Sequence, residues 1–269
     1  MAELTTGARR LVALDIDGTT IDHDGVLSPA VAQAVTETVE AGHHVTIATG
    51  RSIVATLPIV RELGLTTGYA VCSNGAVTLA IDPAEDAGYR IVDSVTFDPR
   101  PVLTMLRAEI PEALVAVEDL GVGFKVSAPF PDGELGGEQL VVEWEELVAQ
   151  PATRVTLRRP DATSEEFMEQ VERVGLHGVS YAVGWTAWLD INPEGVSKGT
   201  TLELVRRWLE VEPGDTVAVG DQRNDLEMLA WAARGVAMGQ APPEVKEVAD
   251  EVTGSVDEDG LVPVLRSLL

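Results

Sequence analysis

Leu11-Val12-Ala13-Leu14-Asp15-Ile16-Asp17-Gly18-Thr19 places four apolar residues ahead of two aspartates one residue apart. The apolar run predicts a buried strand of a parallel sheet, and Gly18-Thr19 ends it. Both carboxylates then fall at the carboxyl end of the strand, where open α/β sheets bind ligands. Strand alternation sends Asp15 and Asp17 to the same side. Two like charges so close need a cation between them or a retained proton. Taken alone, the pattern fits equally a loop that begins with acids, so the rest of the chain has to decide.

Downstream of this strand the pattern alternates. Ser28-Pro29 reads as an N-cap with proline in the first helical turn, and Val31, Ala34, Val35 and Val39 recur at helical spacing up to Gly42. His44–Ala48 predicts the second strand, Thr49-Gly50-Arg51 the turn into a helix reaching Leu63, and Tyr69–Cys72 a third strand closed by Ser73-Asn74-Gly75. This βαβαβ order predicts a doubly wound, Rossmann-like parallel sheet. The polar, turn-rich stretch 82–88 reads as a linker. The following segment mixes strands (Ile91–Phe97, Leu114–Val117, Arg154–Leu157, Val179–Val183) with helices (Val102–Glu109, Ser164–Val174). The doubly wound rhythm resumes near Leu189. The expected architecture is α/β, with a core domain over residues 1–82 and 186–269 and an inserted α+β cap over 83–185.

Composition narrows the function. With 44 acidic and 19 basic residues the net charge is −25, a field unsuited to nucleic acid or anionic membrane. A phosphorylated substrate therefore needs strong local positive charge. The single cysteine, Cys72, excludes an intrachain disulfide or a cysteine-based metal cluster and reads as a small core residue. Met1–Arg10 lacks the apolar core of a secretory signal, and no run is long and apolar enough to span a bilayer. A cytoplasmic setting is the expectation.

Polar residues follow apolar runs at four predicted strand ends: Asp15/Asp17, Thr49-Gly50-Arg51, Ser73-Asn74-Gly75, and Gly220-Asp221-Gln222-Arg223-Asn224-Asp225. In a parallel sheet all four ends share one edge. Asp15, Asp17, Asp221 and Asp225 would gather there, and oxygen donors without His or Cys favour a hard cation, Mg²⁺ in particular. Thr49 reads as the hydroxyl-bearing start of a helix with free N–H groups for an anion. Lys198, one of only three lysines, follows Gly195-Val196-Ser197 and offers a phosphate a point charge. A metal, an anion cradle, an ammonium and a carboxylate nucleophile together suit phosphoryl transfer.

Several other residues have plainer readings. Asp22 and Asp24 read as turn formers. His23, His43, His44 and His177 lack metal-ligand spacing. Arg158-Arg159 reads as a surface strand end, and Trp185 and Trp188 as packing residues.

The five segments Leu14–Thr19, Ala48–Arg51, Ser73–Ala76, Gly195–Gly199 and Gly220–Asp225 resemble the motifs of the haloacid dehalogenase superfamily. Their order is similar to that of its Cof-type, class IIB branch of capped sugar phosphatases. The resemblance implies that Asp15 is the nucleophile, forming an aspartyl-phosphate, and that Asp17 is the general acid/base. It implies Mg²⁺ between the Asp15 carboxylate, the Asp17 backbone carbonyl and Asp221, with Asp225 supporting the metal. Thr49, Gly50 and Lys198 would hold the phosphate, with Asn74 and Asn224 orienting either the phosphate or Lys198. Retention of Asp17 disfavours carbon–halogen cleavage. The expected function is Mg²⁺-dependent hydrolysis of small phosphate monoesters, sugar phosphates foremost. Two alternatives are a phosphotransferase or phosphomutase using the same intermediate, and a non-catalytic binder of phosphorylated metabolites. Pyridoxal phosphate, nucleotides and phosphoglycolate also remain open as substrates.

Overall fold

The computed structural model describes residues 8–183 and 186–269; Trp185 lies outside them. The chain divides into two compact units: residues up to Gly50 with Thr56–Asp93 and Ser197–Leu269, and Arg51–Ala55 with Ser94–Val196.

The first unit is built on eight strands. In chain order its elements are β1 (Leu11–Leu14), α1 (Pro29–Glu40), β2 (His44–Ala48), α2 (Ile53–Glu62), β3 (Gly68–Cys72), β4 (Val77–Ile81) and β5 (Tyr89–Ser94). With β12 (Thr216–Gly220), β13 (Arg234–Ala237) and β14 (Glu251–Val252) from the end of the chain, the sheet order is β14-β13-β12-β1-β2-β3-β4-β5. β1 lies between β2 and β12, parallel to both, with Leu14 opposite Ile47 and Val219. All four β1 side chains are buried, as a central strand covered on both faces requires. Ser28 caps α1 by accepting from Ala30 N–H at 3.1 Å, with Pro29 in the first turn. β4 returns antiparallel to β3.

The inserted elements are α3 (Arg100–Glu109), β6 (Leu114–Asp119), β7 (Gly123–Val126), β8 (Glu138–Val141), α4 (Trp144–Leu147), β9 (Val155–Arg158), α5 (Ser164–Val174), β10 (Val179–Val183) and β11 (Trp188–Pro193). They form a second sheet, β10-β11-β9-β6-β7-β8, antiparallel except for β7 with β8. Side chains from α3 and α5, including Leu103, Leu106, Phe167 and Val171, share one core with Val115, Val155, Leu157 and Leu189.

The chain then returns to the first unit with α6 (Lys198–Trp208), β12 (Thr216–Gly220), α7 (Leu226–Trp231), β13 (Arg234–Ala237), α8 (Pro243–Val248), β14 (Glu251–Val252) and α9 (Leu261–Arg266). No helix among the described residues is long and apolar enough to cross a membrane.

The unit limits fall later than 82/83 and 185/186. β5, read from sequence as an inserted strand over Ile91–Phe97, belongs to the eight-stranded sheet, and β11, read as the resumed core, pairs with β10 and β9. Strand pairing, which is non-local, assigned both; their periodicity could not.

Arg158 is another difference. It lies at a strand end, but it is buried and its guanidinium grips Glu134, with Nε 2.9 Å from Oε2 and Nη2 3.1 Å from Oε1. Trp188 packs edge-on to Phe130, centroids 6.1 Å apart. Asp22 Oδ1 accepts from Asp24 and Val26 N–H, as a turn former does.

Candidate active site

Asp15 continues the β1 ladder by one residue, its N–H donating to Val219 O at 3.1 Å. The chain then turns sharply. Ile16 O accepts from the N–H groups of Thr20 and Ile21 at 2.9 and 3.0 Å, and Thr20 Oγ1 donates to Asp15 O at 2.5 Å. Gly18 completes the turn at φ +74°, and a methyl group on it would overlap the Asp221 carboxylate, so glycine is required on both counts. The turn separates the two aspartates: Asp15 is buried and Asp17 is exposed. β1 ends at Leu14, so strand alternation does not govern these two side chains.

Lys198 arrives from the other end of the chain. Ser197 caps α6, exchanging bonds with Thr200 (Thr200 N–H to Ser197 Oγ 3.2 Å, Ser197 N–H to Thr200 Oγ1 2.9 Å). Ser73 and Asn74 adopt left-handed backbone angles, φ 50° and 54°. Gly75, at φ +105°, lies so close to Ser197 O that no side chain fits, and its own carbonyl accepts from Thr201 Oγ1 at 2.8 Å. The helix start is thus pinned to the β3 turn. From there Lys198 Nζ lies 2.6 Å from Asp15 Oδ1 and 2.6 Å from Asp225 Oδ1, in a fully buried position.

Burial by itself lowers the Lys198 pKa, but the two carboxylates outweigh it and hold the ammonium above its ordinary range. Burial raises the Asp15 pKa well above the ordinary value; the charges of Asp225, Asp221 and Asp17 add to the rise, and Lys198 opposes it.

The loop after β12 supplies the remaining acids. Asp225 Oδ2 accepts the backbone N–H groups of Asp221 and Gln222, each at 2.9 Å, so this carboxylate braces its own loop as well as Lys198. Asp221 Oδ2 accepts from Gln222 Nε2 at 3.1 Å and Gln240 Nε2 at 3.3 Å. Asp221 Oδ1 is buried with no hydrogen-bond partner among the described residues. Burial, then the charge of Asp225, push the Asp221 pKa up to about 6.

One oxygen from each of Asp15, Asp221 and Asp225 lies within 4.8 Å of the others. Three buried carboxylates against one ammonium leave negative charge uncompensated, and an unpartnered buried oxygen is costly. An all-oxygen donor set of this kind fits a hard divalent cation. The Asp17 carboxylate is not in this group; the family resemblance assigns its backbone carbonyl to the metal.

The four other expected site residues also meet. Thr49 is buried, its N–H bonded to Val71 O at 2.9 Å and its carbonyl accepting from Asn74 N–H at 3.0 Å. Asn224 Nδ2 donates to Asn74 Oδ1 at 2.9 Å. Both amides border Gly50, where an added Cβ would stand 3.0 Å from Asn74 Oδ1. One expectation fails: Thr49 does not open a helix. α2 begins at Ile53, and Thr49 N–H is committed to the sheet ladder. The residues around Thr49 form a turn between strand and helix.

Sequence reasoning placed Gly75 and Gln222 in the strand-end turns without a role of their own, and it missed Gln240. A signal existed for Gln240, since Gly239-Gln240 follows β13 at the same sheet edge.

The profile of the haloacid dehalogenase-like hydrolase family matches residues 12–108 and 135–265. YkrA of Bacillus subtilis, named as a candidate phosphatase, is 31% identical over 96% of this chain and 97% of its own. The pyridoxal phosphate phosphatase YbhA of Escherichia coli is 29% identical over 97% of this chain and 98% of its own. A solved phosphatase of the same superfamily from Bacteroides thetaiotaomicron superposes with a TM-score of 0.79 at 25% identity, covering 100% of this chain and 99% of that one. The chain belongs to the haloacid dehalogenase-like hydrolases, as one of their phosphatase-type enzymes.

Proposed function

We propose that this enzyme hydrolyses small phosphate monoesters, sugar phosphates foremost, with Mg²⁺ as its cation and Asp15 as its nucleophile. The observation that carries the reading is the convergence of Asp15, Asp221, Asp225 and Lys198 on one buried point, from chain segments far apart in sequence.

In the first step an Asp15 carboxylate oxygen bonds to phosphorus as the bond from phosphorus to the ester oxygen breaks. Asp17 gives that oxygen its proton, and the alcohol leaves. In the second step Asp17, now a carboxylate, takes a proton from water. The water oxygen bonds to phosphorus, and the bond to Asp15 breaks, releasing inorganic phosphate and restoring both aspartates. Asp17 suits a proton carrier because its turn leaves it exposed, while the nucleophile is held still by Lys198. Lys198, Thr49, Gly50, Asn74 and Asn224 bind and orient the non-bridging oxygens. Asp15, Asp221 and the Asp17 carbonyl would hold the cation, braced by Asp225. When bound, Mg²⁺ supplies positive charge that lets a dianionic substrate approach this acidic chain.

The test is hydrolysis of an aryl phosphate by the purified protein with Mg²⁺ and after chelation, then a panel of phosphorylated sugars with pyridoxal phosphate and nucleotides. Turnover by Asp15→Asn at the wild-type rate would contradict the nucleophile assignment. Added alcohols that become phosphorylated would point to phosphotransfer instead.

A further inference from the structure

Gln240 stands in the loop that follows β13, and three contacts fix that loop. Met238 N–H donates to Gly220 O at 3.0 Å, Gly239 N–H donates to Gly254 O at 2.9 Å, and Lys246 Nζ donates to Gly239 O at 2.6 Å. The side-chain amide of Gln240 then has its orientation decided by its partners. Oε1 accepts Val256 N–H at 3.0 Å, which only the oxygen can do. Nε2 therefore faces the active site, where it donates to Gly18 O at 2.5 Å and to Asp221 Oδ2 at 3.3 Å. One amide thus ties together the turn after β1, the loop after β12 and the segment at Val256.

The consequence falls on Asp221. Its two carboxylate oxygens are unequal: Oδ2 receives two amide donors, whereas Oδ1 is buried and bare among the described residues. Without Gln240 the only side-chain donor to Oδ2 among the described residues is Gln222, the neighbour in sequence and part of the same loop. The carboxylate could then rotate and exchange its oxygens. Restraint from a separate loop is what keeps a bare oxygen pointed at one place, and such outer partners tune metal affinity as well as geometry. The bond to Gly18 O restrains the same turn that presents the Asp17 carbonyl.

We infer that Gln240 is a positioning residue for the divalent cation: its amide locks Asp221 Oδ2 to the Gly18 turn and leaves Oδ1 as the ligand atom. The inference rests on the metal reading above and adds to it a residue that touches neither substrate nor ion.

The experiment is calorimetric titration of the metal-free protein with Mg²⁺, for the wild type, Gln240→Met and Gln240→Ala, with circular dichroism to establish folding. Methionine keeps the length and removes the amide; alanine leaves room for water. The Mg²⁺ dissociation constant is expected to rise about tenfold or more in both, while the KM for an aryl phosphate at saturating Mg²⁺ stays near the wild-type value. A merely structural role lowers the melting temperature and leaves the dissociation constant where it was. An unmoved constant in either folded variant overturns the inference, as does failure of both variants to fold. If the wild type itself takes up no Mg²⁺, the metal reading is what fails.

Discussion

Lys198 and Asp15, 183 positions apart in the chain, meet at 2.6 Å with both side chains buried. The same ammonium meets Asp225 at the same distance. One cation therefore serves two buried carboxylates, and removal of either kind of partner has a definite sign. Lys198→Met leaves the acids facing each other without their counter-charge. Breaking a buried pair in this way costs about 3–5 kcal/mol, measurable as a lower urea midpoint. Adding Asp225→Asn to that variant removes part of the repulsion and should recover part of the loss. A double variant less stable than Lys198→Met alone would argue against the triad.

Asp17 is exposed where Asp15 is buried, which suits it to move protons rather than to bond phosphorus. Asp17→Asn should lower kcat by about 10²–10⁴-fold with little change in KM. Because its leaving group no longer needs a proton, an aryl phosphate with an acidic phenol should lose less than an alkyl phosphate. Equal losses on the two substrates would remove Asp17 from the leaving-group step.

Burial, and then Asp225, raise the Asp221 pKa to about 6, against about 3.9 for an ordinary aspartate. The folded, metal-free protein thus holds this proton more tightly than the unfolded chain. The contribution of Asp221 to stability should therefore fall by roughly 3 kcal/mol as pH rises from about 4 to about 6. Asp221→Asn abolishes this contribution, so the variant should gain in melting temperature relative to wild type across that window and keep the gain above it. Divalent-ion affinity of the wild type should climb over the same range, since the ligand must lose its proton. A pH-independent difference between the two melting curves would contradict the assignment.

Gly75 touches no chemistry, yet its backbone lies against Ser197 O at φ +105°, immediately before Lys198. Gly75→Ala adds a methyl group where there is none to spare, in a backbone region costly for alanine by about 1–3 kcal/mol. The expected result is lower stability together with lower kcat, because the start of α6 must shift. Full activity with an unchanged melting temperature would show that the Gly75 contact does not position Lys198.

The sequence by itself determined the local elements and the identity of the acids. An apolar tetrad before Asp15, a Ser-Pro cap before α1 and a Gly-Val-Ser turn before Lys198 are short-range patterns, and each is written within a few residues of its consequence. Tertiary structure decided everything that depends on partners distant in the chain. β5 and β11 carry no local mark of the sheet they join, because hydrogen-bonding across strands is set by register with other segments. Thr49 looked like a helix start until Val71 claimed its N–H. Strand pattern alone did not tell Asp15 from Asp17, whereas the Gly18 turn buried one and exposed the other. Asp225 read as a metal support, and only folding gave its carboxylate Lys198 and two backbone N–H groups to hold. Charge, burial and hydrogen-bond partners are properties of position in space, so the oxygens that act could be named only once the chain had folded around them.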